Sequence, residues 1–186
     1  MNLARKKNTF LLFVSFVLLW MMASILYDLY ERRQGNNMEL ESIAGHSLYM
    51  ILSNYEEIGR NDNGELTIES VIGMNRRLAA IEAYSDTIDR VTHTNLLNPI
   101  ANNMLEITKD LEKSYKEHNG FTETDRANYS ALTNASAALI PLIYKVYYTA
   151  GSEEGGKASL TIKQYEGIVE LNRSLSEQLS GSSSPQ

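Results

Sequence analysis

Hydrophobic and polar positions along this chain fall into two regimes. The first is an unbroken apolar run, in which Asn8 to Tyr27 carry no charge. As a helix rising about 1.5 Å per residue, the run matches the roughly 30 Å hydrocarbon core of a bilayer. Arg5, Lys6 and Lys7 precede it, and Asp28, Glu31, Arg32 and Arg33 follow. Tyr27 and Tyr30 stand where interfacial aromatic residues sit. The pattern predicts an uncleaved single-span anchor over residues 8–30, led by a basic cytoplasmic segment, residues 1–7. A cleaved signal peptide fits less well. Its best small-residue site is Met21-Met22-Ala23, where methionine occupies a position that prefers a small side chain. The basic residues ahead of the run outnumber Arg32 and Arg33 behind it, which predicts a cytoplasmic N-terminus and a following domain outside.

The second regime is amphipathic. Apolar residues recur at alternating steps of three and four, the seam of a helix packed in a bundle. One stretch runs from about Met38 to Ile58 through Ala44, Leu48, Ile51 and Tyr55. A second, Ile68 to Thr92, carries Val71, Met74, Leu78, Ile81 and Ile88 in step, with Ser85 filling one slot. A third begins at Asn98-Pro99, an N-cap followed by proline at the first helical position. Its seam is Ile100, Met104, Ile107, Leu111 and Tyr115. The fourth opens on Thr122-Glu123-Thr124-Asp125, which resembles a capping box, and continues through Leu132, Ala135, Leu139, Leu142 and Val146. A fifth, Leu160 to Leu179, carries Tyr165, Ile168 and Leu175. Gly35-Asn36-Asn37 is expected to joint anchor to domain, Gly151 to Gly156 to form a flexible loop, and residues 181–186 to be a disordered tail. Pro141 falls inside the fourth stretch and predicts a kink.

The fold class expected is therefore all-α: one N-terminal transmembrane helix, then a four- to five-helix antiparallel bundle over residues 38–180. Composition changes this picture little. The chain has 186 residues and no cysteine, which excludes disulfides and thiolate metal sites. From Gln34 onward 12 Lys and Arg face 21 Asp and Glu, a balance of −9. That sign disfavours nucleic acid and anionic headgroups as direct partners.

Candidate chemistry is sparse. Gly59 to Ser70 places Asn61, Asn63, Gly64 and Thr67 at EF-hand positions, but Gly59 and Ser70 stand where the first and twelfth ligands are needed. A polar turn accounts for the same residues. His46, His93 and His118 lack ligand spacing, and no GxSxG, P-loop or GxGxxG occurs. No enzyme, cofactor or metal is expected. The tyrosine group Tyr144, Tyr147 and Tyr148 is the candidate partner or ligand surface, since amphipathic rings suit both. The function expected is a membrane-anchored extracytoplasmic bundle, acting non-enzymatically as a protein-interaction or accessory subunit of the cell envelope. The lipid bilayer is expected to hold residues 8–30, and a protein is the expected partner. The alternative is a small-ligand-binding bundle with a pocket near Pro141 and these tyrosines.

Overall fold

The computed structural model describes residues 3–60, 66–149 and 156–182, and the side chains of these except 3–14, 33 and 178–182. Its helices are α1 (Leu3–Arg60), α2 (Ile68–Thr92), α3 (Leu97–His118), α4 (Glu123–Tyr147) and α5 (Glu166–Ser182). Among the described residues there is no strand, only an isolated antiparallel bridge between Tyr148 and Ala158. The chain divides into two units, Met1–Leu40 and Glu41–Gln186.

In the first unit the backbone of α1 is helical through Gly35-Asn36-Asn37, so the expected joint is not a break. A single glycine inside a helix costs only about 1 kcal/mol against alanine, which flanking helical residues can offset. Among the described residues no helix is long and apolar enough to cross a membrane. The expected span is not supported at that level, for a plain reason of length. Asn8 to Val14 lie outside the described side chains, and Ser15 to Tyr27 alone fall short of the roughly 20 apolar residues that a span needs.

The second unit is the bundle. Leu48, Ile51 and Tyr55 of α1 share one buried core with Leu78, Ile81 and Ile88 of α2 and Met104 and Leu111 of α3. Leu132, Leu139 and Ile143 of α4 and Ile168 and Leu175 of α5 complete it. Each large aliphatic side chain so buried contributes about 1.5–3 kcal/mol. The seams expected for the first four stretches are these residues, with Tyr115 and Leu142 only half-buried. The antiparallel order follows from cross-helix pairs. Glu57 of α1 pairs with Arg77 of α2 while His46, earlier in α1, meets Tyr84, later in α2. Asn75 of α2 donates to Glu112 of α3 at 2.6 Å, and Ser114 of α3 to Asp125 of α4 at 2.7 Å.

The fifth stretch is a full member of the bundle, but its helix starts at Glu166 rather than Leu160. Leu160 and Ile162 pack against the core from an irregular segment, and Gln164 has φ 55°, which ends any helical run before it. Gly167 lets α5 reach α4, because a Cβ there would stand 2.8 Å from Leu142 Cδ2. The backbone of α5 extends through Ser182, into the expected tail, and residues 183–186 lie outside the described residues. So does most of the expected glycine loop, residues 151–155. Pro141 is exposed inside α4, and the helix continues past it to Tyr147.

Candidate functional site

Helix ends place most of the polar side chains. Thr67 caps α2: its hydroxyl accepts the Ser70 N–H at 3.1 Å, and the Ser70 hydroxyl accepts the Thr67 N–H at 3.1 Å. Two residues of the calcium-like segment are thus spent on a capping box. Residues 61–65, which include Asn61, Asn63 and Gly64, lie outside the described residues, and among the described residues no group of three acidic or histidine side chains could hold a metal.

The expected box at α4 forms as well. Thr122 Oγ1 accepts the Asp125 N–H at 3.2 Å, and Asp125 Oδ2 accepts the Thr122 N–H at 2.7 Å. Burial alone would raise the Asp125 carboxyl. The Thr122 N–H, the hydroxyls of Ser114 and Thr122 and the His118 charge outweigh it and hold the group below its usual value.

The start of α3 departs from expectation. The helix begins at Leu97, and Leu96 at the N-cap offers no side-chain bond. Buried Asp89, near the end of α2, supplies the cap instead. Its carboxylate accepts the N–H groups of Leu96 at 3.0 Å, Leu97 at 3.2 Å and Asn98 at 2.9 Å, and the Thr94 hydroxyl at 2.9 Å. Asn98, expected to be the cap, is one of the capped residues. Proline at N3 gives up no helical hydrogen bond, as one of the first residues of the helix.

The three histidines are not brought together as ligands. His46 packs edge-on against Tyr84 with ring centroids 6.2 Å apart. His93 ends α2 in the left-handed region, and His118 Nδ1 lies 3.0 Å from the Ser114 carbonyl oxygen.

The tyrosine group is divided by burial. Tyr144 and Tyr148, four residues apart, tilt against each other with centroids 5.3 Å apart, and both are half-buried. Tyr147 turns inward and is fully buried. Burial, then the Asp89 charge, push its hydroxyl far above the usual tyrosine range, weakly opposed by Thr94. Among the described residues that hydroxyl has no hydrogen-bond partner. Ser85, in the slot expected on the α2 seam, is likewise buried, with an Oγ unpartnered among the described residues.

A cavity of about 280 Å³ opens elsewhere, between the end of α1, the first half of α2 and α4. Ile58, Met74 and Tyr129 are its buried apolar walls. Glu69, Gly73 and Arg77, spaced four residues apart, form one face of α2 along it. The only sequence signal pointing here is an isolated glycine inside a strongly helical pattern. A comparison with protein-family models, curated proteins and solved structures finds no match for this chain.

Proposed function

We propose that the protein is a membrane-tethered helical bundle that acts by binding rather than catalysis, as a protein-interaction or accessory subunit of the cell envelope. One observation carries the tether: a row of large apolar side chains on helix α1 is exposed from Phe16 to Tyr30, with Leu19 at 67% and Trp20 at 70%. A contiguous apolar surface of this kind marks a membrane or partner contact. The uncharged sequence from Asn8 and the interfacial Tyr27 and Tyr30 favour the membrane. Arg5, Lys6 and Lys7 favour a cytoplasmic N-terminus with the bundle outside.

Carbonate washing and protease protection test this reading. The expected outcome is full-length chain in the washed membrane pellet, and a bundle digested by protease added to spheroplasts. Release into the soluble fraction would end the tether, and a protected bundle would reverse the orientation. In-membrane crosslinking then identifies the protein partner.

A second reading, small-ligand binding by the bundle, is favoured by the cavity beside Gly73. Its volume is near the lower end of the roughly 300–1,000 Å³ seen for small-molecule sites. That cavity is not beside Pro141 and the Tyr144 group, where the sequence placed a pocket.

A further inference from the structure

Gly73 is a helical residue whose missing side chain the packing does not require. A Cβ built there meets nothing within 4 Å. Glycine inside a helix is destabilising relative to alanine, so the position bears a cost with no return in helix packing. Gly35, Gly45 and Gly59 are equally open, but Gly73 is the one that forms cavity wall. The bare backbone there leaves room for a body lying across α2.

The groups on either side of that gap have opposite charge. Glu69 stands one turn before Gly73 and Arg77 one turn after it, on the same face. Glu69 is exposed and takes no part in an ion pair among the described residues. Arg77 is half-buried and pairs with Glu57 through Nη1. A guanidinium has five N–H donors, so this pair leaves others for a second acceptor. The Tyr129 hydroxyl, on the opposite wall, makes no hydrogen bond among the described residues. The Ser70 hydroxyl is committed to the α2 cap and adds nothing. Between the charged ends, Ile58 and Met74 provide apolar surface.

We infer that this cavity binds a small zwitterion with an apolar body, of free amino-acid size. The carboxylate lies toward Arg77 and the Tyr129 hydroxyl, the ammonium toward Glu69, and the body over Gly73 against Ile58 and Met74. Charge argues for both signs together. Glu57 already neutralises Arg77, so an anion alone would gain little and would face Glu69. A cation alone would leave the Arg77 and Tyr129 donors unused. A zwitterion satisfies both ends at no net charge. This inference rests on the ligand-binding reading and is independent of the membrane tether.

The experiment uses the full chain in lipid nanodiscs, labelled with ¹⁵N-glycine so that Gly73 reports directly. Free L-leucine, L-valine and L-methionine are titrated singly, beside isovalerate and isoamylamine, which keep the apolar body but only one charge. The expected result is a saturable shift of the Gly73 amide with an amino acid and a response at least about tenfold weaker with either single-charge analogue. Arg77→Gln and Glu69→Gln should each weaken binding about tenfold, and Gly73→Leu, followed by isothermal titration calorimetry because the label is lost with the glycine, should abolish it by filling the gap. Gly73→Ala fits the open space and serves as the folded control. Equal binding of isovalerate or isoamylamine would overturn the zwitterion while leaving a ligand site. No shift at Gly73 with any probe would overturn both. Binding undiminished in Gly73→Leu would place the ligand elsewhere and overturn the site.

Discussion

The Asp89 carboxylate of α2 accepts the backbone N–H of Asn98, nine residues onward, at 2.9 Å. One buried side chain thereby closes the α2–α3 turn and supplies the cap that α3 lacks locally. The first N–H groups of any helix have no partner within it, and a buried helix start cannot leave them to water. Asp89→Ala should therefore cost about 2–4 kcal/mol, more than an ordinary cap, because it leaves the N–H groups of Leu96, Leu97 and Asn98 without their acceptor at once. For a chain of this size each kcal/mol moves the melting temperature by about 2–4 °C. A melting curve within 2 °C of wild type would mean that water caps α3 as well as Asp89 does.

Leu139 is fully buried, and Glu123 is exposed in the first turn of α4. Leu139→Asp places an unpaired charge in the core and should cost several kcal/mol or prevent folding. Glu123→Ala removes only a favourable charge at a helix N-terminus, worth about 0.3–1 kcal/mol. Denaturation of the two variants side by side measures the gap, and similar midpoints would show that the α4 seam does not carry the core.

Local signals made some boundaries legible and left others hidden. The bounds of α2, Ile68–Thr92, were readable from its apolar period, and the start of α4 because Thr122 lies next to the N–H group it caps. The start of α3 was misplaced by two residues because its cap comes from a different helix, which no local pattern can show. Seam positions were readable because burial follows the 3.6-residue period. The tyrosine group was legible as a cluster in sequence but not as a surface, since positions three and four apart share a face and the spacing does not show that its Tyr147 edge is the one packed into the core. The cavity was hidden because its walls come from three helices. Glu69 and Arg77 look like ordinary solvated helix residues until Gly73 is seen to be open.

Asp125 should make stability depend on acid. Its carboxyl titrates below the ordinary value of 3.8 because the native state bonds the ionised form. A carboxyl with a depressed folded value binds fewer protons native than unfolded. Its contribution is fully present above the unfolded value and is lost as pH falls through the lower folded value. Asp125→Asn should thus be less stable than wild type at pH 6, with the difference narrowing below pH 3.8. Chemical denaturation across that range measures it, and a constant difference would show that Asp125 acts by packing alone.

The Tyr147 hydroxyl is buried, unpartnered among the described residues, and faces the field of the Asp89 carboxylate. The ring is part of the core, while the oxygen was stripped of water without a replacement bond. A buried polar group left in that state costs about 1–3 kcal/mol, so deleting the hydroxyl alone should be neutral or stabilising. Deleting the ring should not be: Tyr147→Ala opens a large cavity and should cost about 3–5 kcal/mol, the range for buried aromatics. The pair Tyr147→Phe and Tyr147→Ala therefore separates the two parts of one side chain. Thermal melts of both in the same detergent give the answer. A Phe variant at or above the wild-type midpoint fits an orphaned hydroxyl. A loss of more than about 1 kcal/mol would mean that the oxygen is bonded in solution, most simply through a water to Asp89 or Thr94.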